Sequence, residues 1–324
     1  MKKMLALSIV LAACGALAAA PATGTSSGAL AFVPEDATSV GFIRLADLRS
    51  NPFQLRIFEE TDKIAADGDG ARFLEEAGLH LREDVDSVVV CTSSADGRPG
   101  QSLVFFEGRF DPARLVAAVT KRGAHAYGVR GGSYFRLKQE SGGEHGPGAV
   151  AFVDVHLVIA GAESAVVTAL SNRASGGHDF ASGGGLGREY HRVNPAATAW
   201  VLVDVDKWRP SRISLRGDGA SAGLVSALKT VSLVTFEATV EGDSLAVKGT
   251  GLSSDEETRG LLEDSLRGVT AAWRLAAQEK SPQLVAAIRK IQISHDGEGV
   301  TISGKLPGDL IRSLAASART QTGK

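Results

Sequence analysis

The string Gly219-Ala220-Ser221-Ala222-Gly223 matches the G-x-S-x-G pattern, in which a sharp strand-to-helix turn presents a serine to an acyl carbon. Such a nucleophile needs a histidine base and an acid to orient it, and Asp243 and His295 follow it in that chain order. Against a hydrolase, "RISLRGD" supplies only a weak strand before the motif, and a chain with 38 glycines generates such strings freely. The first reading is therefore a glycine-rich loop, and a serine hydrolase of the cell envelope using Ser221, Asp243 and His295 is the alternative.

Other candidates are weaker still. Gly183-Gly184-Gly185-Leu186-Gly187 has the glycine density of a phosphate-cradling loop, but no Walker lysine follows it and no strong strand precedes it, so it reads as linker. Arg216-Gly217-Asp218 reads as a turn. The histidines His80, His125, His145, His156, His178, His191 and His295 never take the i, i+4 spacing with glutamate of a zinc-binding helix. No metal site and no cofactor is expected. Trp200 and Trp208 would share one face of a regular strand, as the wall of an apolar binding groove or, more simply, as core. The acids of "DEETRGLLED", from Asp255 to Asp264, read as the exposed face of a helix.

The elements that would position these residues belong to a globular chain. Its 324 residues suggest two domains at about 150 residues each, and 44% hydrophobic with 22% charged residues is neither disordered nor membrane-embedded. Loss of Lys2 and Lys3 with a leader leaves 33 basic against 37 acidic side chains, a net charge of −4. The bases are interspersed with acids, which excludes the one-sided basic surplus of a nucleic-acid binder. Of the two cysteines, Cys14 and Cys91, the second sits in the apolar run "DSVVVCTSS" and reads as a buried thiol.

Lys2 and Lys3 precede a mostly apolar stretch of ten residues, Met4 to Ala13, the pattern of an export signal and too short for the roughly 20 residues a spanning helix needs. Leu11-Ala12-Ala13-Cys14 resembles the lipobox of bacterial lipoproteins, which implies cleavage before Cys14 and acylation of its thiol. The competing site is Ala16-Leu17-Ala18, an ordinary small-x-small signal. The lipobox is favoured because the apolar run ends at the cysteine and a small-residue tether follows. Both readings place the body outside the cytoplasm. The lipobox also implies a membrane as partner, and Gly15 points to the outer membrane, with a soluble periplasmic or secreted protein as the alternative.

Three stretches recur in one order. Ala37–Leu48 aligns without gaps on Ala197–Trp208, the region from Val85 resembles that from Val231, and the region from Ala149 resembles that from Lys290. Each is built of strands, and helices follow, opened by Asp111-Pro112, by Ser281-Pro282 and by a capping box of Ser254 with Glu257. The first copy inserts a hairpin at "AHAYGVRGGSYFRLKQ"; the second has a helical stretch from Asp255 to Ile288 that breaks near Ser281. The expected organisation is a leader over 1–20, a tether over 21–30, an α+β unit over 31–173, a flexible glycine-rich linker over 174–194, a second unit over 195–316 and a tail over 317–324. Each unit is expected to be a mostly antiparallel sheet with helices on one face.

The opening "PEDATSVGFIRLADLRSNP", with "FLEEAGLHLREDVDSVVV" and "AFVDVHLVIAGAESAVVTAL", resembles a family of exported bacterial proteins without an assigned activity. Their mature part begins with a Pro-x-Asp-Ala strand and a Leu-x-x-Leu-Arg-x-Asn/Ser-Pro helix start. The resemblance implies no site residues. Its expectation is a non-enzymatic binding or assembly protein whose partner is another envelope component, with a carrier of lipid or another apolar ligand as a further alternative.

Overall fold

The computed structural model describes residues 28–49, 68–93, 101–137, 147–174, 180–207, 230–278 and 281–311. The leader with Cys14, residues 21–27 of the tether, Ser221 and Trp208 lie outside the described residues, whereas Gly28–Phe32 forms a 3₁₀ segment that buries Ala29, Leu30 and Phe32 in the core, so the expected tether ends before residue 28. The first half comprises β1 (Ala37–Arg44), α1 (Gly68–Ala77), α2 (Leu81–Asp84), β2 (Val85–Ser93), β3 (Gln101–Gly108) and α3 (Pro112–Lys121), then β4 (His125–Val129), β5 (Gly132–Arg136), β6 (Gly148–Phe152), β7 (Leu157–Ala162) and α4 (Glu163–Ala174). The second comprises β8 (Ala199–Asp204), β9 (Leu233–Val240), β10 (Ser244–Leu252), α5 (Glu256–Ala277), α6 (Pro282–Ile288), β11 (Gln292–His295) and β12 (Gly299–Pro307).

The chain is α+β, and every strand pairs antiparallel with its neighbours in one sheet ordered β11-β12-β10-β9-β8-β1-β2-β3-β7-β6-β5-β4. The halves therefore do not form separate sheets but meet at the β1–β8 ladder. Outward from that seam the strands run β1-β2-β3-β7-β6 on one side and β8-β9-β10-β12-β11 on the other, and the hairpin β4–β5 extends the first half. The register can be set beside the sequence alignment. Its equivalent residues Gly41 and Val201 face each other at the centre of the seam, between Ser39↔Val203 and Ile43↔Ala199. Val40 faces Cys91 as Trp200 faces Glu237, and Phe42 faces Val89 as Leu202 faces Thr235.

Strand alternation decides what covers the sheet. In β2, Val89 and Cys91 join one core cluster while Val88 and Val90 join another, and β3 and β7 are apolar on both faces in the same way. Both faces of the first half need covering, so α4 packs on one and α1 with α3 on the other, where helices on a single face were expected. In the second half, α5 covers the face carrying Val234, Ile293 and Val300, and the opposite face carries Thr239, Lys248, Ser303 and Lys305.

The helix starts are built as their residue types require. Asp111 accepts from the Ala113 and Arg114 amides at 3.0 and 3.1 Å, with Pro112 in the first turn, and Ser281 accepts from the Leu284 amide at 3.2 Å. At α5 the cap is Asp255, which accepts from the Thr258 amide at 2.7 Å, and not the expected Ser254. Asp255 holds extended backbone angles, so the helix begins one residue later.

The joint between the halves corrects the expectation of a flexible linker. Its described part forms two 3₁₀ segments, Phe180–Ser182 and Gly185–Arg192, which bury Phe180, Leu186 and Tyr190 in the main core. Glycine serves close packing here: Gly185 has φ +56°, and a Cβ on Gly187 would stand 1.9 Å from the Phe180 carbonyl oxygen.

Candidate functional site

The sequence candidates separate in space. Trp200 is 1% exposed, stacks on Phe42 at 5.7 Å between centroids and meets Tyr190 edge-on at 5.3 Å, so it is core at the seam and lines no groove. Asp243 sits in the β9–β10 turn, where its carbonyl accepts from the Gly308 amide at 2.9 Å. His295 pairs with Val300, at the other end of β12 from Pro307 and about 23 Å away at 3.3 Å per residue. An acid and a base so placed cannot serve one serine together, so Asp243 and His295 do not form the triad that the sequence offered to Ser221. Cys91 is buried, and desolvation pushes its thiol up to about 12, as suits an inert core residue.

His295 instead enters a cluster between α5 and β11. The first turns of α5 present Glu256, Arg259 and Glu263 toward the sheet at helical spacing, while Leu262 and Leu266 pack on Val231, Val300 and Ile293. Gly251 of β10 lies under this contact: a Cβ on it would crowd Val231 at 3.0 Å and touch Leu262 of α5 at 3.8 Å. His295 Nδ1 bonds the Glu263 carboxylate and Nε2 faces Glu256 at 3.2 Å. Arg259 donates to the Ser253 carbonyl at 2.7 Å and pairs with Glu256, and Arg267 pairs with Glu263.

The hydrogen bond to Glu263 is the main cause that raises the His295 pKa, opposed by desolvation and reinforced by the charges of Glu263 and Glu256. With a carboxylate on each ring nitrogen, the imidazolium donates on both sides and has no lone pair for a substrate proton. The cluster is an electrostatic latch that holds α5 on the sheet. It also corrects the reading of the 255–264 acids as wholly solvent-facing: Glu263 is 7% and Arg259 6% exposed. Among the described residues no group of three or more His, Cys, Asp or Glu side chains forms a metal site, and no helix is long and apolar enough to cross a membrane.

Beyond the latch, the C-terminal half of α5 overhangs an open groove of about 450 Å³. Arg267, Arg274 and Arg289 border it, and Ile288, Ile291 and Ile293 form apolar wall. Arg274 and Arg289 make no hydrogen bond or ion pair through their side chains among the described residues. A second groove, of about 460 Å³, crosses the polar face of the sheet between Lys248, Lys290, Glu237 and Ser303. Neither groove was anticipated from sequence. The available signal was the seven-residue spacing of Arg267 and Arg274, which sets both near one helix face.

No protein-family model and no curated protein matches the sequence. The fold does match solved structures. Crystal form III of TP0453 superposes with a TM-score of 0.50 at 10% identity, over 93% of this chain and 99% of that one. Crystal form I gives 0.49 at 10% identity, over 91% and 99%. This likeness concerns the α+β fold.

Proposed function

We propose that the chain is an exported protein of the bacterial cell envelope, held at a membrane, of outer-membrane type, by acylated Cys14. Its α+β body, two copies of one ancestral unit, serves as a binding or assembly module. The observation that carries the address is the leader, in which Lys2, Lys3 and a mostly apolar run of ten residues end at a lipobox-like Cys14. Two or more acyl chains, at about 0.8 kcal/mol per buried methylene, anchor stably where one does not. The shared strand order and register of the two halves support duplication. Charged grooves and a doubly bonded His295 favour binding a polar partner over chemistry or carriage of an apolar ligand.

Intact mass and membrane fractionation of wild type and Cys14→Ser in a bacterial host test the anchor. The expected wild type begins at Cys14, carries added acyl mass and sediments with membranes, while the variant stays uncleaved or turns soluble. Unmodified chains beginning near Ala19 in both would overturn the anchor and leave a soluble exported protein.

A further inference from the structure

We infer that the arginine groove beneath α5 receives an extended acidic segment of a protein partner, laid along the open edge of β11. This deepens the binding half of the proposed function and rests on it, but not on the anchor at Cys14.

The edge is the first observation. Among the described residues β11 is the terminal strand of the sheet and pairs only with β12. The Asp296 amide donates to the Gly299 carbonyl at 3.0 Å and closes the β11–β12 turn, so along the ladder Ser294 and Gln292 direct their backbone groups inward to β12. Ile293 and His295 direct theirs outward. The Arg267 guanidinium reaches the Ile293 carbonyl at 3.5 Å from that outer side, as this alternation requires.

Charge is the second. The side chains of Ile293 and His295 lie on the α5 side of the sheet, so a strand added beside β11 places alternate side chains under α5, among Arg267, Arg274 and Arg289. Glu263 balances Arg267, whereas Arg274 and Arg289 have no carboxylate among the described residues. Arg267 and Arg274 stand two helical turns apart, about 10 Å, within reach of acids spaced roughly 7 Å along a strand. The isoleucine wall accommodates the methylenes of glutamate chains. A flat anionic membrane matches less well, because the guanidiniums border a concavity and the edge offers backbone hydrogen bonds that only a polypeptide completes.

The test is fluorescence anisotropy with the mature full chain and a fluorescein-labelled hexapeptide of alternating glutamate and valine. Saturable binding is expected, at least tenfold weaker in Arg274→Glu/Arg289→Glu, weaker in the milder Arg274→Gln/Arg289→Gln, and weaker at high salt. Arg130→Glu, in the turn between β4 and β5 at the far end of the sheet, should leave it unchanged. The same peptide, N-methylated on alternate amides so that one edge is blocked, should bind at least tenfold less. Circular dichroism establishes that the variants are folded. No saturable binding, equal binding by the charge-reversed variant, or equal binding of the N-methylated peptide overturns the inference. Binding to phosphatidylglycerol vesicles without peptide binding overturns it in favour of a lipid surface. Every such failure leaves the mass and fractionation result at Cys14 unaffected.

Discussion

His295 shows how far residue type alone carries an argument. In sequence it was one histidine of seven, eligible as a general base because an acid and a serine precede it. The fold surrounds its ring with Glu263 and Glu256, from a helix over thirty residues earlier, and no local pattern announces that pairing. Its elevated pKa has a definite consequence. Stabilisation by the imidazolium is complete below the ordinary histidine value of about 6.5 and is lost as pH rises through the raised folded value. On the acid side Glu256, whose pKa is lowered chiefly by its hydrogen bond from Arg259, loses its contribution as pH falls through that depressed value. Thermal unfolding should therefore find wild type more stable than His295→Gln at pH 6, with the gap closing by pH 9. A gap independent of pH would mean that the ring acts through packing alone.

Secondary elements were legible where their signals are local. The Asp111 and Ser281 caps, the β4–β5 hairpin and the break between α5 and α6 follow from turn and cap chemistry within a few residues. The joint was not, because glycine is ambiguous: the same residue makes a linker loose and lets two backbones touch. What decides here is the burial of Phe180, Leu186 and Tyr190, a property of distant partners. Two substitutions of glycine by alanine should separate the two roles by sign. Gly187→Ala drives a Cβ into the Phe180 carbonyl and should cost about 1–3 kcal/mol by denaturant titration. Gly268→Ala, on α5 with nothing within 4 Å, should instead stabilise by up to about 1 kcal/mol through helix propensity. A neutral Gly187→Ala would return the joint to the class of loose connections.

At the scale of the whole molecule, the repeated stretches pointed to two units but were silent on how they associate. Strand patterns specify which residues face a core, and two copies of one pattern fit equally well as separate sheets or as one continuous sheet. Continuity comes from β1 and β8, whose inner edges have no other partner, and from the aromatic stack that Phe42, Trp200 and Tyr190 build across the seam. Residues 28–174 alone would expose the edge of β1 and the ring of Phe42, an unpaired apolar edge of the kind that seeks another strand. The isolated first half should self-associate in size-exclusion chromatography with light scattering, and co-expression with the second half should restore a monodisperse one-to-one species. Trp200→Ala in the intact chain should weaken the same seam by about 3–5 kcal/mol, since it removes a buried indole together with its two ring contacts. A first half that is monomeric and cooperatively folded on its own would make the seam a contact between independent domains, and the Trp200 substitution would then destabilise only the second half.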